Sequence, residues 1–205
     1  MDGQLTSWAL GGRVSRSPFA LPSGVAGRLA GWIMSHTNEQ TEVLGLLDVH
    51  PGDRVLEVGY GPGQLIRLIA GRTAATAIHG VDPSPAMRAA ATRRNRAAVV
   101  AGRVALALGT AEHTDLGTGS VDRAVAVNNV AIWPELEAGV QEFRRVLVEG
   151  GTAVIAWHGG TAPSAIGARL RLPAPKLDRV DRALRDMFAE VDRIQLTALD
   201  VFVAR

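Results

Sequence analysis

Residues 55–63 read Val55-Leu56-Glu57-Val58-Gly59-Tyr60-Gly61-Pro62-Gly63. A short β-branched run meets three glycines at alternate positions, and Gln64–Ala70 then carries apolar residues at helical spacing. Strand, glycine turn and helix form the opening of a βαβ unit. The glycines let the backbone bend sharply and let a ligand approach main-chain atoms. Taken alone, the same turn also fits a plain strand-to-helix connection.

The alternation continues outward from this turn. Downstream, strands are expected at Ala77–Val81, Val104–Leu108, Val121–Val127 and Thr152–Ala156, and helices at Pro85 to about Ala98 and Glu135–Val148. Ser84 is placed to cap the first of those helices, with Pro85 at its first position. Residues 159–178, rich in Gly, Pro and Ala, read as a loop or lid; Arg179–Phe188 reads as a helix. Val191–Leu196 and Leu199–Ala204 lie too close for a crossover and read as an antiparallel hairpin. Upstream, residues 1–18 look like a flexible arm. Helices at Phe19–Met34 and Glu39–Leu47, the latter capped by Thr37 or Asn38, make 19–48 a cover for the pocket. The expected fold is one α/β domain, 1–205. It is a Rossmann-like, doubly wound, seven-stranded sheet, mostly parallel with an antiparallel C-terminal edge hairpin and helices on both faces. Residues 49–158 form its ligand-binding core, and 179–205 a closing helix and hairpin.

Composition narrows the chemistry. The 205 residues contain no cysteine, which excludes a disulfide scaffold, a zinc–thiolate site and a cysteine nucleophile. The longest apolar stretch, Ala97–Ala101, falls far short of the roughly 20 residues that span a bilayer. Met1-Asp2-Gly3 does not open a secretory signal, so a cytoplasmic address is expected. The pI is about 9.9, yet the formal net charge is only +2. Arginine, which barely titrates, accounts for the difference. The cluster Arg88, Arg93, Arg94, Arg96 reads as a solvated helix face, so no nucleic-acid partner is expected.

Ligands of an open parallel sheet bind at the carboxyl ends of its strands. Five groups fall there: Glu57 with the Gly59–Gly63 turn, Asp82, Gly109–Glu112, Asn128, and Trp157-His158. Asp82 stands 25 positions after Glu57, placed to accept from ribose hydroxyls or to cap the helix that follows. The nicotinamide fingerprint Gly-x-Gly-x-x-Gly is broken, because Gln64 occupies the third glycine's place. Glu57 would also repel a pyrophosphate and welcome a cation. A nucleoside with positive charge and no phosphate fits, and S-adenosylmethionine is such a molecule.

Over roughly residues 40–158 the chain resembles the class I S-adenosylmethionine-dependent methyltransferases. The likeness rests on Glu57–Gly63, on Gly80-Val81-Asp82-Pro83-Ser84-Pro85-Ala86-Met87, and on Gly109-Thr110-Ala111-Glu112. It rests also on Ser120–Arg123 through Asn128-Asn129, and on Arg145–Gly151. The resemblance implies that Glu57 and the backbone of Gly59 and Gly61 hold the methionine part. It implies that Asp82 holds the ribose, that Ala111 and Glu112 meet the adenine, and that Asn128 offers its carbonyl to the ammonium. Tyr60, Gly63, Pro83 and Thr110 fall within the same cofactor-binding set, and Met87 either covers the adenine or is core. Thr110 stands where the family commonly has an acid, and Tyr60 where a small residue is frequent.

Methyl transfer needs alignment, exclusion of water and sometimes a base. The candidates are His158, directly after a strand at the ligand edge, Tyr60 and His36; His113 is placed less well. The histidines form no metal-ligand spacing, so no metal is expected. Trp32, His36, Asn129, Trp133 and Trp157 are the expected substrate pocket, suited to an apolar, aromatic or cationic acceptor. The expected activity is methyl transfer to a small organic acceptor with S-adenosylhomocysteine as co-product, by a monomer or homodimer. The alternatives are a non-methylating reaction such as cyclisation on the same cofactor, a nucleic-acid or protein methyltransferase, a binding module without activity, and a nicotinamide oxidoreductase.

Overall fold

Val154 and Ala156 pack into one apolar layer, while Ala153, Ile155 and Trp157 pack into another. Two-sided burial of this kind is what a strand shows when helices cover both faces of its sheet. The structure is a computed structural model that describes residues 6–11, 13–14 and 39–205. In chain order its elements are β1 (Thr6–Ser7), β2 (Arg13–Val14), α1 (Glu39–Leu47), β3 (Arg54–Val58), α2 (Gln64–Arg72) and β4 (Ala77–Asp82). There follow α3 (Pro85–Arg94), α4 (Arg96–Val100), β5 (Val104–Leu108), β6 (Val121–Val127), α5 (Leu136–Val146) and β7 (Leu147–His158). The last are α6 (Ala165–Leu170), α7 (Ala174–Arg185), β8 (Val191–Gln195) and β9 (Leu199–Ala204).

The main sheet has the order β5-β4-β3-β6-β7-β9-β8. The five strands from β5 to β7 are parallel, and β9 runs antiparallel between β7 and β8. This is the expected Rossmann-like sheet with its antiparallel C-terminal pair. The chain steps outward from β3 through β4 to β5, then returns to lay β6 against the other side of β3. That reversal opens a crevice above the carboxyl ends of β3 and β6. Val43, Leu47, Leu65, Ile66 and Ile69 of α1 and α2 fill one face. Leu136, Val140 and Phe143 of α5, with Val180 and Leu184 of α7, fill the other. On α5 these buried positions recur every three or four residues, the spacing of one helix face. Each such side chain contributes about 1.5–3 kcal/mol when fully buried.

Four local readings are corrected. The stretch taken as an arm includes the β1–β2 pair and a 3-10 turn, with Ser7, Trp8 and Ala9 buried. Ser7 Oγ donates to the Ala131 carbonyl at 2.6 Å, and Trp8 Nε1 donates to the Val130 carbonyl at 2.7 Å. One tryptophan with a satisfied donor outweighs the polar composition around it. The helix read as Pro85–Ala98 breaks at Asn95. The helix read to Val148 ends at Val146, where β7 begins. Residues 159–178 hold α6 and the first part of α7 rather than a plain loop, because Ser164 caps α6 through the Gly167 amide and proline in the first turn costs α7 nothing. The helix expected at Phe19–Met34, its neighbours Thr37 and Asn38, and the site residues Trp32 and His36 lie outside the described residues.

Candidate active site

Gly59, Gly61 and Gly63 all adopt positive φ, at 70°, 50° and 76°. A side chain would fit at neither end of the turn. A Cβ on Gly59 would sit 2.4 Å from Asn129 Nδ2, and one on Gly63 would sit 2.8 Å from Ala91 Cβ. The turn is tied down by Gly59 N–H donating to the Val81 carbonyl at 2.7 Å and by Gly61 N–H donating to Asp82 Oδ2 at 2.9 Å. At the end of α3, the capping Asn95 donates through Nδ2 to the Gly63 carbonyl at 3.0 Å, and Arg94 donates to the Pro62 carbonyl at 3.2 Å. The break at Asn95 therefore serves the turn. Its one cue in the sequence is an asparagine, a poor helix former, in an Ala/Arg-rich run.

Glu57 lies at the end of β3 with its side chain buried and its Oε2 without a hydrogen-bond partner. Burial, and then the negative charge of Asp82, push its carboxyl up to about 8, against the pull of the Ile66 amide. Asp82, at the end of β4, accepts from Gly61 through Oδ2 and from the Ser84 amide through Oδ1, both at 2.9 Å. Burial raises its pKa, and those two amides draw it back. Its capping role and its reach to the glycine turn thus coexist, and each oxygen keeps a further lone pair for a ligand. Asn128, at the end of β6, has φ +56°. Its amide donates to the Ala156 carbonyl at 2.8 Å, while its buried Oδ1 has no partner. The fold thus brings Glu57, Asp82, Asn128 and the glycine turn together on three neighbouring strand ends. Two of them carry buried oxygens that nothing in the described chain satisfies.

The segment after β5 closes as a turn in which the Thr110 and His113 amides each donate to the other's carbonyl. Ala111 is buried within the α5 layer, and Glu112 accepts the Glu135 amide at 3.1 Å. A groove of about 770 Å³ lies along this turn and α5, lined in part by Thr110, Glu112, His113, Pro134, Ala138 and Gln141. Glu57, Asp82 and Asn128 are not among its walls.

Several expected site residues prove to be engaged elsewhere. Tyr60 is buried, and its hydroxyl donates to the Ala107 carbonyl at 3.0 Å. Burial raises its pKa, and the hydroxyl offered as a catalytic candidate is engaged with β5, which supports the packing reading of Tyr60. Its ring runs over Gly80, where a Cβ would come within 2.7 Å of it. Met87 packs in the same layer as core, and Pro83 is half-buried beside Asp82. Trp133 is not an open pocket wall: it stacks against Phe143 at 5.6 Å and donates to Asn129 Oδ1 at 2.7 Å. Nor does Asn129 face a pocket, since its Nδ2 is taken by the Val58 carbonyl at 2.7 Å. Trp157 is likewise buried, and its Nε1 donates to the Leu170 carbonyl at 2.8 Å. The indole and amide donors found backbone or side-chain partners, as buried polar groups must, and nothing in the sequence named those partners.

His158 stands at the end of β7, half-buried and edge-on to Trp157 at 5.4 Å. Burial pushes its imidazole down to about 4, which keeps it neutral near pH 7. His113 is exposed on the turn after β5. Among the described residues, no three His, Asp or Glu side chains are grouped to hold a metal, and no helix is long and apolar enough to cross a membrane.

Residues 55–151 match a family described as a methyltransferase domain. An uncharacterized methyltransferase of Bacillus subtilis, YdaC, is 34% identical over 129 residues, covering 62% of this chain and 69% of that protein. The methyltransferase GfsG of Streptomyces halstedii is 34% identical over 110 residues, 54% of this chain and 39% of its own length. The crystal structure of a putative S-adenosyl-L-methionine-dependent methyltransferase from Methanococcus maripaludis shares the fold. Its TM-score is 0.70 at 14% identity, over 94% of this chain and 95% of that one.

Proposed function

The chain belongs to the S-adenosylmethionine-dependent methyltransferases, and on that premise we propose that its acceptor is a small organic molecule with an apolar body. The observation that carries the site assignment is the pair of buried, unpartnered oxygens, Glu57 Oε2 and Asn128 Oδ1, on adjacent strand ends beside the glycine turn. Buried acceptors are costly unless a donor arrives, and a cationic amino acid moiety brings donors and charge to both. Glu57, the Gly59 and Gly61 backbone and Asn128 are therefore assigned to the methionine end of the cofactor. Asp82 is assigned to the ribose through its free lone pairs, and Thr110, Ala111 and Glu112 to the adenine. When bound, S-adenosylmethionine supplies a methyl group already activated by a sulfonium. The chain's own task is to align the nucleophile with that methyl, keep water out and, for an acceptor that holds a proton, accept it. His158 is the described side chain best placed for the last role, because its neutral ring nitrogens stand at the same strand edge.

The small, apolar acceptor is supported by the surroundings of His158. Helix α6 packs near it: a Cβ on Gly167 would lie 3.9 Å from the imidazole Nδ1. On the same helix Ile166 and Leu170 remain exposed, 54% and 37%. Apart from the short β1–β2 pair, every described strand joins the one sheet, so no separate docking domain appears among the described residues. The test is a calorimetric titration with S-adenosylmethionine, S-adenosylhomocysteine and NADH, followed by mass spectrometry of small acceptors for the gain of one methyl. Methyl gain on bulk RNA or protein, with none on small apolar acceptors, would refute the acceptor class and leave the family unaffected.

A further inference from the structure

The β3–β6 ladder ends at the pair Val58↔Ala126. Glu57 sits inside that ladder opposite Val125, and Asn128 lies two residues beyond its end, tied to β7 through the Ala156 carbonyl, so a contact that joins β3 and β6 beyond the ladder adds to what fixes their separation. The described side chain that does so is Asn129. Its Nδ2 donates to the Val58 carbonyl at 2.7 Å and lies within reach of the Val127 and Gly59 carbonyls at 3.3 and 3.4 Å. Its Oδ1 accepts from Trp133 Nε1 at 2.7 Å. The two contacts together fix the amide's orientation. Rotated by half a turn, its oxygen would face carbonyls and its nitrogen would face an indole N–H. Trp133 is fixed in turn. It packs on Phe143, and its ring fills the space left by Gly139, where a Cβ would come within 2.5 Å of it. Gly59 leaves the matching space for the Asn129 amide. A continuous path of contacts therefore runs from α5 to the glycine turn.

We infer that Asn129, held by Trp133, is a positioning residue of the cofactor site: it bridges β3 and β6 beyond their ladder and so helps set Glu57 against Asn128. The inference rests on the proposed roles of those two residues at the methionine end of the cofactor. It makes a claim that a general packing role would not. Loosening the clamp should weaken ligands that carry the amino acid moiety and spare those that carry only the nucleoside, since Asp82 stands on β4 and keeps the Ser84 amide whatever the turn does.

The experiment uses Trp133→Phe, which keeps an aromatic side chain but removes the indole donor, and Asn129→Ala. The dissociation constants of S-adenosylhomocysteine and 5′-methylthioadenosine are measured by calorimetry for wild type and each variant, with melting curves alongside. Removing one buried hydrogen bond and freeing the amide should weaken S-adenosylhomocysteine on the order of tenfold in Trp133→Phe and more in Asn129→Ala. 5′-Methylthioadenosine should change less than about twofold. Equal loss for both ligands, no loss for either, or failure of both variants to fold overturns the inference. Wild-type protein that binds 5′-methylthioadenosine but not S-adenosylhomocysteine would instead sink the assignment of Glu57 and Asn128 and, with it, the inference.

Discussion

Glu57 makes cofactor binding a proton-linked event. In the ligand-free chain its carboxyl is held up to about 8, chiefly by burial and then by Asp82. At about pH 7, one unit below that value, ~0.9 of the molecules carry the proton on Glu57. An ammonium or sulfonium brought against Oε2 favours the carboxylate and pulls the value back toward the ordinary range. Binding S-adenosylmethionine should therefore release close to one proton near neutral pH. Its affinity should rise by up to about tenfold per pH unit as pH climbs toward 8, then level off. The assay is calorimetry at one pH in buffers of low and high ionisation enthalpy; the slope of observed heat against buffer enthalpy counts the protons. Glu57→Gln removes the titrating group and should abolish the release while weakening the cofactor. Zero release by wild type, or the same release from Glu57→Gln, would refute the reasoning. Ligand-free stability runs the opposite way with pH. The folded chain holds a proton that the unfolded chain gives up above 4.5. Ligand-free stability thus falls as pH rises between those two values, and Glu57→Gln should flatten that limb of a pH series of urea titrations.

Other outcomes follow from the same geometry. Gly63→Ala places a Cβ at φ +76° against Asn95 and Ala91; it should cost about 1–3 kcal/mol in chemical denaturation through backbone strain alone. Asp82→Ala frees the Gly61 and Ser84 amides and removes a charged acceptor, and should weaken S-adenosylhomocysteine by about 1.5–3 kcal/mol in calorimetry. At Glu142, burial pushes the carboxyl up, but hydrogen bonds from Arg145 and Thr114 outweigh it and hold the carboxyl down to about 2. That stabilisation is present above the ordinary value of 4.5 and is lost as pH falls toward 2, so Glu142→Gln should flatten the acid limb of a melting-temperature profile. If His158 accepts the acceptor's proton, His158→Gln should lower kcat about 100-fold or more and leave the Kd for S-adenosylhomocysteine unchanged. Equal kcat would remove it from the mechanism.

What the sequence determined by itself is the order of elements and the chemical types at the strand ends. Periodicity of two and of three to four residues, punctuated by Gly59–Gly63, Asp82 and Gly150-Gly151, is local information, and it suffices for an alternating α/β sheet with a terminal hairpin. The rule that ligands bind beyond the carboxyl ends of parallel strands turned that order into a candidate cluster, and the fold gathers Glu57, Asp82 and Asn128 there. Only the tertiary structure decided which polar groups were still free. Tyr60, Asn129, Trp133 and Trp157 are chemically as suited to a pocket as Glu57 and Asn128. Their donors instead meet Ala107, Val58, Asn129 and Leu170, partners between 4 and 71 residues away in sequence. A hydrogen bond leaves no mark on the sequence when its partner is a distant backbone carbonyl, because every residue type has one. Composition likewise hid the burial of Trp8 and the helices within 159–178, where one contact or one helix cap outweighs the local average.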